Sequence, residues 1–143
     1  MIGVKRIILS KKLFSELVVH AKKTFPYESI SIISGHIKGD SAIAEQVYMP
    51  ENIDKSTTTF TVEPIALLKI YNDIDANKRT LIGIYHTHPA APYPSKTDII
   101  YMEVNPYIWL ISSTINPEKP RGYILRKDNQ LEEVEVVIKK ENN

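Results

Sequence analysis

Apolar residues at Leu13, Phe14, Leu17, Val18, Ala21 and Phe25 repeat with helical spacing behind Ser10. A serine there can accept the first free amides of a helix, and Pro26 ends the pattern. Ile30 to Ser34 is a short apolar run closed by Gly35, and Ile43 to Met49 is a second run. Both predict strands. Pro50 to Thr59 is polar and predicts a loop. Glu63-Pro64 opens a second helix, with proline at the permissive first position and an apolar face of Leu67, Leu68, Tyr71 and Ile74. Leu81 to His86 is nearly continuous in apolar residues, the pattern of a strand covered on both faces.

The rest of the chain is punctuated by proline. Pro89, Pro92 and Pro94 mark a stiff loop. Ser95 to Glu103 predicts a short helix, stopped by Asn105-Pro106. Tyr107–Ser112, Gly122–Arg126 and Leu131–Ile138 predict three strands, with Asn116 to Pro120 as the loop between the first two. The order is therefore α-β-β-α-β-α-β-β-β. This predicts a mixed α/β fold: a single domain over residues 1–143 with a central, mostly antiparallel or mixed sheet flanked by helices.

Composition narrows the function classes. The net charge of +1 gives no basic footprint for nucleic acid. No apolar run approaches the roughly 18 residues of a membrane-spanning helix, and the first residues lack a secretory h-region. A cytoplasmic protein is the expectation. The chain has no cysteine, which excludes disulfides, Cys-ligated zinc and a Cys nucleophile. The zinc deaminases, which need Pro-Cys-x-x-Cys, are excluded with them.

His86 and His88 lie two apart at the end of a predicted strand, so both imidazoles point to one face. That is a geometry two metal ligands need on extended backbone. Catalytic zinc takes three protein ligands and a water, and Asp98 follows after the proline-stiffened turn. Taken alone, Ser95-Lys96-Thr97-Asp98 is a capping box, and a His-x-His pair is more often ordinary surface. Glu28, at the entry to a strand, is a candidate general base, but spacing does not join it to His86. His20 lies off the apolar arc of its helix, and His36 follows Gly35 in a predicted turn; both are expected at the surface. Trp109 alternates with Tyr107 and Ile111 and is expected in the core. Thr87 should face away from its histidine neighbours.

Together these pieces resemble the JAMM (MPN-plus, Mov34/MPN/PAD-1) zinc metalloproteases. The family pattern is an early Glu, then His-Ser/Thr-His-Pro, then Ser-x-x-Asp. Here it is similar to Glu28, His86-Thr87-His88-Pro89 and Ser95-Lys96-Thr97-Asp98. Tyr93-Pro94, Pro26-Tyr27-Glu28-Ser29, Ser34-Gly35 and the Asn52…Phe60…Pro64 segment add to the likeness, which runs from about residue 8 to 138. Two departures stand out. Ile30-Ser31 replace the family's small Cys-Gly pair, and six residues, Pro89 to Pro94, separate His88 from Ser95 where the family has seven.

The resemblance implies an MPN (cytidine-deaminase-like) fold and one Zn2+ per chain held by His86, His88 and Asp98. It implies catalytic roles for Glu28, as proton carrier, and for Ser95, as hydrogen-bond donor to the developing oxyanion. It implies as partner a ubiquitin-like or sulfur-carrier protein with a C-terminal Gly-Gly, together with its conjugates. The Pro50–Thr59 loop would form a side wall of the cleft. The short loops are similar to those of compact prokaryotic, archaeal-type members. Isopeptidase action is the leading expectation, with tail-trimming carboxypeptidase action and a non-catalytic MPN scaffold as alternatives. Neither a nucleic acid nor a membrane is expected as a partner, and the sequence leaves an oligomer open.

Overall fold

The computed structural model describes residues 1–140. Seven strands and three helices follow in the order β1 (Arg6–Ser10), α1 (Lys11–Thr24), β2 (Ser29–Lys38), β3 (Ser41–Tyr48), α2 (Pro64–Ala76), β4 (Thr80–His88), α3 (Lys96–Val104), β5 (Ile108–Ser113), β6 (Asn116–Leu125) and β7 (Leu131–Lys139). The strands close into a barrel in the order β1-β3-β2-β4-β5-β6-β7. β2 pairs antiparallel with β3 and β4, and β6 does so with β5 and β7. β1 runs parallel to both β3 and β7, and β4 runs parallel to β5. The mixed, mostly antiparallel α/β fold expected from the sequence is what forms, with closure added.

β1 carries that closure, and its three-residue apolar run, Ile7 to Leu9, is too short to register as a strand by pattern. Its register runs from Arg6↔Glu135 to Ser10↔Lys139. Ser10 then serves as N-cap of α1, its Oγ accepting the Leu13 N–H at 3.1 Å. β2 continues through Gly35 to Lys38, so His36 lies in a strand and not in a turn, although it is exposed as expected. Gly35 extends the strand because a Cβ there would stand 1.8 Å from the Ile43 carbonyl oxygen. Only glycine allows the two backbones to approach so closely.

The Asn116 to Pro120 segment is also strand, and the turn falls at Thr114-Ile115. Proline is tolerated there because β6 meets β7 only from Gly122 onward, leaving Asn116–Arg121 without a β7 partner. On α2 the face turned to the sheet is Ile74, buried, with Leu67 and Ile70 partly buried, while Leu68 and Tyr71 are exposed.

Two apolar clusters lie on the two faces of the sheet. The inner one joins Ile7, Leu9, Ile33, Ile82 and Leu110 to Leu17 and Ala21 of α1. The outer one joins Ile32, Ile84, Trp109 and Ile111 to Ile74 of α2 and Met102 of α3. β4 serves both. Its register skips Ile82, pairing Leu81 with Ser34 and Gly83 with Ile33. That bulge sets the alternation for the rest of the strand. Tyr85 and Thr87 then face inward, and Ile84, His86 and His88 face outward.

Candidate metal centre

His86 and His88 end β4 on its outer face, and both are buried. Thr87 points the other way, as expected, with its Oγ1 bonded to the Ser29 N–H at 3.1 Å and 2.7 Å from the Ser29 Oγ. The His86 Nδ1–H donates to the Ser29 carbonyl at 3.0 Å. This fixes the tautomer and leaves Nε2 with a free lone pair. That Nε2 is buried and has no hydrogen-bond partner. A buried orphan of this kind is costly unless something else binds it.

Asp98 reaches the same point from α3. Ser95 and Asp98 form the full capping box. The Ser95 Oγ accepts the Asp98 N–H at 3.0 Å, and Asp98 Oδ2 accepts the Ser95 N–H at 2.9 Å. Capping therefore does not exclude a second role. It locks Oδ2 and presents Oδ1 3.2 Å from His86 Nε2, while Oδ2 is 3.3 Å from His88 Nε2. His88 Nε2 also stands 3.2 Å from the Tyr93 carbonyl. The six-residue spacing from His88 to Ser95 thus still brings Asp98 to both histidines.

Glu28 lies one residue ahead of β2 and is buried, with Oε1 3.3 Å from His86 Nε2. Burial pushes its pKa up, against the nearby His86. Burial also acts to raise Asp98, but the close approach of the His86 and His88 imidazoles outweighs it and holds this carboxyl well below the usual range. The same Asp98 contact raises His88, against burial. Ser95 is exposed at the rim. Its oxygen accepts the cap bond, which leaves its O–H free to donate outward.

One atom each from His86, His88 and Asp98 lie within 4.8 Å of one another. Two ligands of a tetrahedral zinc at 2.0–2.1 Å stand about 3.3–3.4 Å apart. The 3.2 Å from His86 Nε2 to Oδ1 and the 3.3 Å from His88 Nε2 to Oδ2 are each close to that edge, though they end on different oxygens of Asp98. With the orphaned His86 Nε2, these donors fit a small divalent ion. The ring of Phe60 covers His86 at 4.9 Å between centroids, and Trp109 stands edge-on at 6.2 Å. Trp109 is core, as expected. The Ser29 and Tyr93 carbonyls were not identifiable from sequence, because backbone acceptors carry no residue signature.

Geometry of this kind, two histidines and an aspartate with a second carboxylate beside them, defines a centre able to hold a metal and move a proton. Residues 10–136 match the family model for prokaryotic homologs of the JAB domain. The chain belongs to that family, the prokaryotic branch of the JAMM/MPN-plus proteins. It is 29% identical over 107 residues to a desampylase of Pyrococcus furiosus, covering 74% of this chain and 75% of that one. It is 24% identical to a CysO-cysteine peptidase of Mycobacterium tuberculosis, over 79% of this chain and 77% of that one. It is 27% identical to a probable TtuB-protein conjugate cleaving protease of Thermus thermophilus, over 65% and 61%. The solution structure of protein DSY2949 from Desulfitobacterium hafniense superposes with a TM-score of 0.80 at 32% identity, covering 94% of each chain.

Proposed function

We propose that this protein is a zinc-dependent peptidase that cleaves the amide bond after the C-terminal glycines of a ubiquitin-like or sulfur-carrier protein, acting chiefly on its conjugates. The observation that carries the reading is the meeting of Glu28, His86, His88 and Asp98 in one buried cluster, with an orphaned imidazole nitrogen at its centre. The named relatives support the substrate class.

His86, His88 and Asp98 would hold the metal. When bound, zinc supplies a water of pKa about 7 and polarises a carbonyl. Glu28 is the proton carrier. Burial raises its pKa toward the range in which a carboxylate can accept a proton at Oε and release it to the departing amine nitrogen. The Ser95 hydroxyl, fixed as N-cap, donates its hydrogen to the substrate oxygen as negative charge develops there. A Gly-Gly tail suits a centre this enclosed, since glycine alone lets backbone come so near.

Similarity to a CysO-cysteine peptidase favours one alternative, removal of a single amino acid from a carrier-protein tail. One assay separates the two. A Gly-Gly-terminated ubiquitin-like protein is supplied joined to a lysine side chain, or extended by one residue. The lysine-linked conjugate should be cleaved after Gly-Gly, with loss on chelation, recovery on adding zinc and loss in Glu28→Gln. Cleavage of the extended tail alone would favour the alternative. A native protein that binds no zinc and cuts neither substrate would overturn both readings.

A further inference from the structure

Glu28 precedes the first residue of β2, so neither its N–H nor its C=O enters the sheet ladder. Both are held by the loop between β3 and α2. The Glu28 N–H donates to the Ser56 carbonyl at 2.8 Å, and the Glu28 carbonyl accepts from Asn52 Nδ2 at 3.0 Å. Asn52 is 5% exposed. Its side chain spends its full bonding capacity on Glu28 and on this loop. Nδ2 also donates to the Thr59 carbonyl at 3.2 Å, and Oδ1 accepts the Asp54 and Thr61 N–H groups, each at 3.1 Å. Two carbonyls and two amides on opposite sides fix which way the amide points. Thr59 and Thr61 flank Phe60, whose ring lies over His86 and Tyr101.

We propose that Asn52 is a positioning residue: one buried side chain sets the backbone of Glu28 and, by the same bonds, the segment that seats Phe60 on His86. The inference rests on the peptidase reading above for the role of Glu28, and on geometry alone for the coupling. No ladder bond would replace the Asn52 tie if it were cut. With it cut, the Glu28 backbone would be held at its N–H alone, by Ser56, and its carboxylate would gain freedom relative to β4, although β2 and β4 keep their register.

The test uses Asn52→Ala and Asn52→Asp, each alone and combined with Glu28→Gln. The Asp variant keeps the oxygen that accepts the Asp54 and Thr61 N–H groups but loses the donors to Glu28 and Thr59, so it cuts the tie to Glu28 while keeping two of the three bonds within the loop. Each single variant should lower kcat by about 10²-fold, the usual scale for a misplaced reacting group. KM and zinc per chain should stay unchanged. In the Glu28→Gln background neither substitution should lower kcat further, because residues acting as a unit are non-additive. Amide hydrogen exchange should quicken at Glu28 and Thr61 in Asn52→Ala and stay slow at core residues of β4. Wild-type kcat in either single variant, an equal further loss beside Glu28→Gln, or unchanged exchange at Glu28 would each overturn the proposal. If the wild type cuts no conjugate, the peptidase reading fails and exchange at Glu28 alone decides the coupling.

Discussion

The two faces of the sheet are built for different tasks. On the inner face, α1 meets β1, β2, β3, β6 and β7, and the curved strands close around Leu17 and Ala21. On the outer face, α2 packs chiefly on β4 and α3 on β6. Between these helices lies a cavity of about 280 Å³ lined by Ile32, Phe60, Leu67, Tyr71, Tyr101 and Trp109. The inner face buries Ile7, Leu9, Leu17, Ile33, Ile82 and Leu110 completely. The outer face is looser, and there the first turn of α3 can bring an acid to the histidines of β4. One strand thus carries core residues inward and chemistry outward. A change on one face should therefore leave the property of the other intact.

The largest expected effect comes from His88→Ala. Losing a ligand should weaken zinc binding by more than the roughly 10–100-fold that losing an outer partner costs, and hydrolysis should disappear with it. Because His88 lies outside the inner cluster, circular dichroism should show an unchanged fold. Collapse of the fold would show that the faces are not independent.

The converse change is Leu17→Ala, at the centre of the inner face. It should lower unfolding free energy by about 2–5 kcal/mol, read from denaturant titration, while kcat per folded molecule and zinc content hold. A proportional loss of kcat in the folded fraction would contradict the separation.

The smallest effect concerns pH. His20, half-buried on α1, has its pKa lowered from 6.5 by burial and then by Lys23. The unfolded chain thus takes up this proton at a higher pH than the folded one. Stability should be full above about 6.5 and fall as pH drops through that value, the loss being complete below the folded-state pKa. Tm measured at pH 7.5 and 5.5 should drop less in His20→Gln than in the wild type. An equal drop would show that other groups carry the whole effect.

Parts of this arrangement were legible in the residues because they are local. The capping pattern at Ser95 and Asp98, the common face of His86 and His88, and the Pro64 helix start each depend on neighbours in sequence. What was not legible depends on distant backbone. Ile7 to Leu9 become a strand only because β3 and β7 lie on either side. Pro117 reads as a loop residue, yet it is buried and its carbonyl accepts from Tyr85 and Ser112. Asn52 falls in a polar stretch that looks like solvated loop, and its burial shows only when Glu28 is brought to it. Asp98 reads both as a helix cap and as a metal ligand, and the structure places it in contact with both the Ser95 cap and the two histidines.

The parallel pairing of β1 with β7 has a kinetic consequence. Arg6 must find Glu135, across nearly the whole described chain, before the barrel is shut. Contacts of such separation raise contact order and slow folding, since the intervening chain loses its freedom before the ladder rewards it. β7 also emerges last of the seven strands in synthesis, so β1 waits with one flank open while the others form. A nascent or truncated chain lacking Leu131–Lys139 would expose the sides of β1 and β6 that β7 normally covers, a template for joining a second copy edge to edge.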